Sequence, residues 1–397
     1  MFDHLFKMMR SQHGRIGVML AVANYTQAAI SFGISFYLAK HLGASGYGLL
    51  SYGLVIGVMA YTVISFGAER TLVRDLVQRP SPARVLTASL VLRMSLAVIV
   101  IAGSIIVLKV LSVSRDKLFV VLLCTSAASI LASSPVAWFD AHYRMHLHAL
   151  VTLIERLVYA VAIVVVLKYA AGSPIISVAA ILLASRAISF LVQMHMARNT
   201  FRFDFTDLRP NLFWLMKANT LVVAAAIAGL MASHWTQLIL EDKVSIEHLG
   251  FYAIAFQLIS VVTLLQNQVM RVFFPRISSL TDTSADPRIA ICKLQSYLVI
   301  GIGISIAAVL PLVLASPKII QTILGEEYSP ALPPLYVLSI WAVLYGGARI
   351  INAFLLNLRL ERNYFWSSLA AGATATVMGL LVIPKHGEIG VALSLLA

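Results

Sequence analysis

The chain has 397 residues, of which 60% are hydrophobic and only 12% charged, and it carries a net charge of +13. Ordinary soluble domains have roughly 25% charged residues, so a water-soluble fold is excluded: the apolar excess must face lipid. The basic residues stand singly or in small groups between apolar runs, which excludes the clustered basic and aromatic face of a nucleic-acid binder and matches loops that flank membrane spans.

The first segment, "MFDHLFKMMRSQHGR" (1–15), has no small-residue cleavage site after its first apolar run. It reads as a retained cytoplasmic segment, not a signal peptide. A membrane-spanning helix needs roughly 20 apolar residues. Spans are predicted near 16–39, 48–68, 85–108, 118–138, 149–170 and 174–194, forming a first six-helix lobe over 16–198. A polar stretch, "NTFRFDFTDLRPN", supplies a cytoplasmic linker at 199–210. The second lobe, 211–397, has five full spans near 211–234, 250–270, 294–316, 332–357 and 364–383. After "IPKHGEIG" the chain gives only "VALSLLA", a truncated sixth helix that rises about 10 Å, a third of a bilayer core. Long apolar runs without alternation exclude a β-barrel. The fold class is an all-α integral membrane protein of about twelve transmembrane helices in two pseudo-symmetric lobes around a central cavity.

Charge asymmetry orients the chain. With the N-terminus cytoplasmic, the inside flanks hold 17 Lys and Arg, among them Arg10, Arg79, Arg198 and Arg271, against eight outside. Cys124 and Cys292 lie far apart and outside any metal-ligand spacing, so neither a disulfide, a metal nor a cofactor is expected. "HLGASGYGLLSYG" from His41 and "HLGFYAIAFQ" from His248 begin alike and sit six spans apart. They point to a six-plus-six internal repeat, a recurrent transporter plan, with His41 and His248 as matching positions in outside loops.

Several stretches in order carry a resemblance: "LAKHLGASGYGLLSYGLVIG", "PVAWFDAHYRMHLHALVTLIERLV", "EHLGFYAIAFQLISVV" with "FFPRIS", "ILGEEYSPALPPLYVLSI" and "IPKHGEIGVALS". The chain resembles the polysaccharide, or O-antigen, flippases of the multidrug/oligosaccharidyl-lipid/polysaccharide exporter superfamily. The resemblance implies a twelve-helix, two-lobed fold in the bacterial inner membrane. It implies transfer of a polyprenyl-diphosphate-linked oligosaccharide between leaflets by alternating access, for surface polysaccharide biosynthesis. The implied partners are that substrate, membrane lipid and other polysaccharide-assembly membrane proteins. Two departures stand out: the short last helix, and Thr236 in "HWTQLIL", where many relatives carry an acid.

There is no Walker A loop, no H-E-x-x-H, no Cys-x-x-Cys and no G-x-S-x-G, so a transporter is expected and not an enzyme. Arg93, Arg186 and Arg349 lie nine, twelve and ten residues from the nearest basic residue of their inside flanks. That places them about 14–18 Å deep, near the middle of a ~30 Å core. An arginine there costs about 3 to over 10 kcal/mol on an isolated helix, so each should face protein or water. Diphosphate is anionic and the guanidinium fork binds phosphate bidentately; the three are expected to converge on one cavity and hold the head group. Snorkelling, or pairing with helix carbonyls, is the structural alternative.

Polar stripes at helical spacing suit a wet, sugar-lined path: Asn24 and Gln27 with Ser31 and Ser35, Gln257 and Asn267 with Ser260, and Asn352 one turn from Arg349. Interhelical hydrogen bonding is their structural alternative. Arg70 and Arg74, one turn apart at the inner end of span two, either set topology or capture phosphates at the inner mouth. Glu155 is the carboxylate expected within hydrocarbon depth, paired with a cation or coupling transport to a proton or sodium ion. Two rival functions remain at this stage. A multidrug exporter of organic cations from the same superfamily would need buried acids; an integral-membrane polysaccharide polymerase would need a sizeable outside loop rich in acids or histidines.

Overall fold

The computed structural model describes residues 12–67, 72–73, 76, 82–142, 144–169, 173–198, 203–282, 287–357 and 360–396. The side chains at 12–18, 21, 221, 271–282, 287–293, 356–357 and 361 lie outside that description. Among the described residues every element is helical: α1 Gln12–Ser65, α2 Pro82–Val110, α3 Arg115–Ser133, α4 Val136–Ala141, α5 Met145–Tyr169, α6 Pro174–Ala197, α7 Leu208–Leu230, a π-turn Met231–Trp235, α8 Thr236–Lys243, α9 Ile246–Asp282, α10 Pro287–Ile323, a 3₁₀ turn Glu326–Ala331, α11 Leu332–Asn357 and α12 Glu361–Leu396. Ten helical stretches are long and apolar enough to cross a membrane, so the protein is a multi-pass membrane protein.

The first such stretch, Val22–Ser65, has 44 residues, about 66 Å of helix and twice a ~30 Å core. It is broken at Gly43 (φ 67, ψ 173), in the first His-Leu-Gly, where a left-handed φ suits glycine. A similar break at Gly387 (φ 54) divides α12. The helix predicted at 211–234 continues instead to Lys243 through the π-turn, and Thr236 lies buried behind that turn with its hydroxyl donating to the Ala232 carbonyl at 3.5 Å.

The chain forms two compact units, Met1–Ile34 with Gly53–Val223, and Ser35–Tyr52 with Ala224–Ala397. In the first unit α3 packs on α2 and α6, and α5 packs on α6. Leu86, Leu90, Trp138, Phe139 and Ala197 form one apolar core there. The polar stretch before α7 is tied down: Arg84 bridges Asp204 and Asp207 at 2.9 Å each, and the Asp204 amide donates to Thr87 Oγ1 at 3.1 Å. Hydrogen bonds from Thr206 and from Arg84 push the Asp204 carboxyl down to about 2.

In the second unit α11 packs on α9, α10 and α12, and α8 packs on α12. Two short segments cross with their backbones nearly touching. A Cβ on Gly48 would collide with the carbonyl of Ile246, and one on Gly250 would collide with the carbonyl of Ala44. The contact is reciprocal, because each glycine meets the carbonyl four residues before the other. Absence of a side chain lets the helices approach this closely. The helix restarts at 44 after Gly43 and at 246 after the break at Val244 and Ser245. Gly48 and Gly250 thus stand at matching points of this crossing. The histidines of the two His-Leu-Gly stretches differ in their bonds: His41 Nδ1 meets the Tyr37 carbonyl at 2.8 Å, whereas His248 Nδ1 pairs with Glu388.

Candidate functional site

In the first unit α5 and α6 share an unusual polar face. On α5, Ile154, Leu157, Val158, Val161 and Val165 are exposed, while Glu155, Tyr159 and Ile163 are buried. On α6, Ile188, Leu191 and Val192 are exposed while Ser185, Ser189 and Gln193 are buried. Large apolar side chains outside and small or polar ones inside is the packing expected in lipid, where apolar burial gives no drive to association. α6 starts cleanly because Pro174 stands at its first turn.

The centre of this face is an ion pair. Arg186 Nη1 lies 3.1 Å from Glu155 Oε2, with side-chain exposures of 12% and 3%. A charge this dry is tolerable only with a partner, and the partner is on the neighbouring helix. Glu155 Oε1 has no hydrogen-bond partner among the described residues. Arg156, Tyr159 and Tyr61 also lie within electrostatic reach of Arg186.

A neutral network continues along both helices. His148 Nδ1 meets Gln193 Oε1 at 3.2 Å, and Gln193 Nε2 donates to Ser189 Oγ at 3.1 Å. Gln27 Nε2 donates to Thr152 Oγ1 at 2.9 Å and to the Ala149 carbonyl at 3.1 Å, which joins α1 to α5. Asn24, one turn away from Gln27, is half-buried. Arg93 is buried on α2, and its Nη1 donates to the Ala132 carbonyl at 2.7 Å. Ala132 is in the last turn of α3, where carbonyls lack helical partners and a cation is favoured.

The other expected residues fall in the second unit. Arg349 lies over the Tyr345 ring at 5.5 Å, a cation–π distance. Asn352, Gln257 and Asn267 are half-buried, and Gln257 lends its carbonyl to Ser260 Oγ at 2.6 Å. The buried polar anchor of α9 is Gln266, whose Nε2 donates to Ser305 Oγ at 3.0 Å and to the Ala342 carbonyl at 2.7 Å, pinning α10 and α11. Arg70 and Arg74 lie outside the described residues. No group of three or more metal-ligating side chains occurs among the described residues.

Of the expected site residues, the structure thus joins Glu155 to Arg186, and Gln27 to α5. Sequence reasoning missed His148, Thr152 and Tyr159. The signal was available: with Glu155 they recur at spacings of four, three and four residues, one face of a helix. It also missed Gln266, and Arg156 beside Glu155.

Residues 15–281 match the polysaccharide biosynthesis protein family. No curated protein matches the chain. Among solved structures, the lipid II flippase MurJ in an inward closed conformation is similar at a TM-score of 0.76 and 13% identity, over 95% of this chain and 84% of that one. An inward-facing multidrug resistance MATE family transporter of the MOP superfamily is similar at 0.66 and 12% identity, over 93% and 90%. A MOP superfamily transporter from Pyrococcus furiosus, described as having a binding pocket of reverse polarity, is similar at 0.56 and 12% identity, over 98% and 93%. At these identities the likeness is one of fold.

Proposed function

We propose, given that this chain belongs to the polysaccharide biosynthesis protein family, that it is a flippase for a polyprenyl-diphosphate-linked oligosaccharide. It would move the head group from the inner to the outer leaflet of the bacterial inner membrane by alternating access, with its N-terminus in the cytoplasm. The twelve-helix, two-lobed plan with lobes at 16–198 and 211–397 and a linker at 199–210 belongs to this proposal. One observation carries the substrate class: an arginine, Arg186, is held dry among polar side chains at membrane depth. Such a cation suits a diphosphate, because a guanidinium binds phosphate through two parallel hydrogen bonds. Arg93 and Arg349 are proposed to meet the head group at other points of its path, and Arg70 and Arg74 to meet it first. Asn24, Gln27, Gln257, Asn267 and Asn352 are proposed to contact sugar hydroxyls.

Membrane potential favours this direction. Moving one negative charge from a negative interior to the outside gains about 2.3 kcal/mol per 100 mV. Fold similarity to a lipid II flippase supports the reading. Fold similarity to multidrug transporters, together with the unpartnered Oε1 of Glu155, supports a second one: export of organic cations drawn to that carboxylate.

Deletion of the gene separates them. A flippase predicts loss of surface glycan and accumulation of a diphosphate-linked oligosaccharide with its head group in the inner leaflet. Intact surface glycan with new sensitivity to organic cations would establish the exporter instead.

A further inference from the structure

Glu155 and Arg186 pose a problem for any anion carrier. The arginine that suits a phosphate already holds a carboxylate at 3.1 Å. The carboxylate is nearly dry, and its second oxygen has no partner among the described residues. A purely structural ion pair would be expected to satisfy both oxygens, because an orphaned buried acceptor costs roughly 1–3 kcal/mol. Here the second oxygen is left open, so the carboxylate is held by a single link. That link is suited to breaking.

The surroundings favour exchange. The charged and titratable groups around the pair are Arg156, Tyr159 and His148 on α5 and Tyr61 on α1, with Asp140 of α4 acting on His148. If a diphosphate engages Arg186, the displaced carboxylate still has Arg156 beside it in sequence. The displaced charge is therefore not left bare.

We infer that Glu155 is a tethered stand-in for the head group: it fills the Arg186 fork when the carrier is empty, is displaced by the incoming diphosphate, and helps expel it by re-pairing. This rests on the head-group role proposed for Arg186. It gives the carrier two properties. The empty site is neutralised and can reorient without an unpaired cation in hydrocarbon. The loaded site never binds so tightly that release fails, because an internal anion always competes. Loss of the competitor should therefore tighten binding and slow export, the opposite of what loss of an ordinary contact does.

The test uses the purified full-length protein in detergent with inorganic pyrophosphate as probe, measured by calorimetry. Glu155→Gln should bind pyrophosphate at least about tenfold more tightly than wild type, the scale of one charge-assisted contact. Cells carrying it should export glycan more slowly at equal protein abundance. If Glu155→Gln does not fold, Glu155→Asp retracts the carboxylate from Arg186 and should tighten binding in the same direction. Equal or weaker binding by a folded variant of either kind overturns the inference. If wild type and variants alike fail to bind pyrophosphate while folded, the head-group role of Arg186 fails, and the stand-in role fails with it.

Discussion

The two units solve the burial of polar groups differently. In the first, full charges are taken inside: Glu155 pairs with Arg186, and Arg93 caps the end of α3. In the second, the buried bridge is a neutral amide, Gln266, shared by three helices. Its tightest packing comes from backbone meeting backbone at Gly48 and Gly250. Its His248–Glu388 contact has a histidine side chain 39% exposed, where water shares the load. Charge inside the membrane is hard to keep and is rarely kept without use. The contrast is between a buried ion pair in the first unit and a neutral amide bridge with close backbone packing in the second.

Breaking the architecture tests the second unit's side of the contrast. Gly48→Val places a branched side chain against the Ile246 carbonyl, which cannot retreat because it belongs to the crossing helix. Overpacking of this kind costs about 1–3 kcal/mol or more. Membrane-extracted protein should fall sharply in abundance, and its melting temperature should drop. Gly103→Ala is the control: nothing lies within 4 Å of an added Cβ there, and helix propensity alone should make it neutral or slightly stabilising.

Next comes the charged interior. Arg186→Ala strands Glu155 and should cost about 3–5 kcal/mol. The double variant Glu155→Gln with Arg186→Gln should recover most of that loss in melting temperature while losing export. A double variant no more stable than Arg186→Ala would show that the pair is not a unit.

Spans and corners were legible in the chain because twenty apolar residues and a helix-breaking glycine act locally. The break between the first two predicted spans was legible in this way, and the helix turns there at Gly43. The partner of Arg93 was not, since a backbone carbonyl has no letter of its own. Gln266 was passed over for Gln257 and Asn267 because a helical stripe gives a face only to within one residue; its neighbours Ser305 and Ala342 come from helices distant in sequence. The Gly48–Gly250 crossing was not legible either, because it is set by how closely two backbones must pass.

Smaller effects sharpen the comparison. Gln266→Met should cost about 1–2 kcal/mol through lost hydrogen bonds, less than Arg186→Ala, and should leave export near wild type once abundance is matched. A loss of export beyond abundance would show that Gln266 serves transport and not only packing. Smallest is the tie at Asp204. Its carboxyl is held down near 2, against an unfolded value of about 3.9. The stability it lends is therefore present above about pH 4 and lost as pH falls toward 2. Asp204→Asn should lower the melting temperature slightly at neutral pH and flatten its dependence on pH in that window.

Leaflet transfer in reconstituted vesicles tests the central claim most directly. Full-length protein in proteoliposomes should move a fluorescent polyprenyl-diphosphate oligosaccharide between leaflets, faster with the receiving side positive. Arg186→Gln at matched incorporation should be slowed at least about tenfold, the loss of one charge-assisted contact. No transfer of that lipid by the wild-type protein, or full transfer by Arg186→Gln, alongside uptake of an organic cation, would contradict the account.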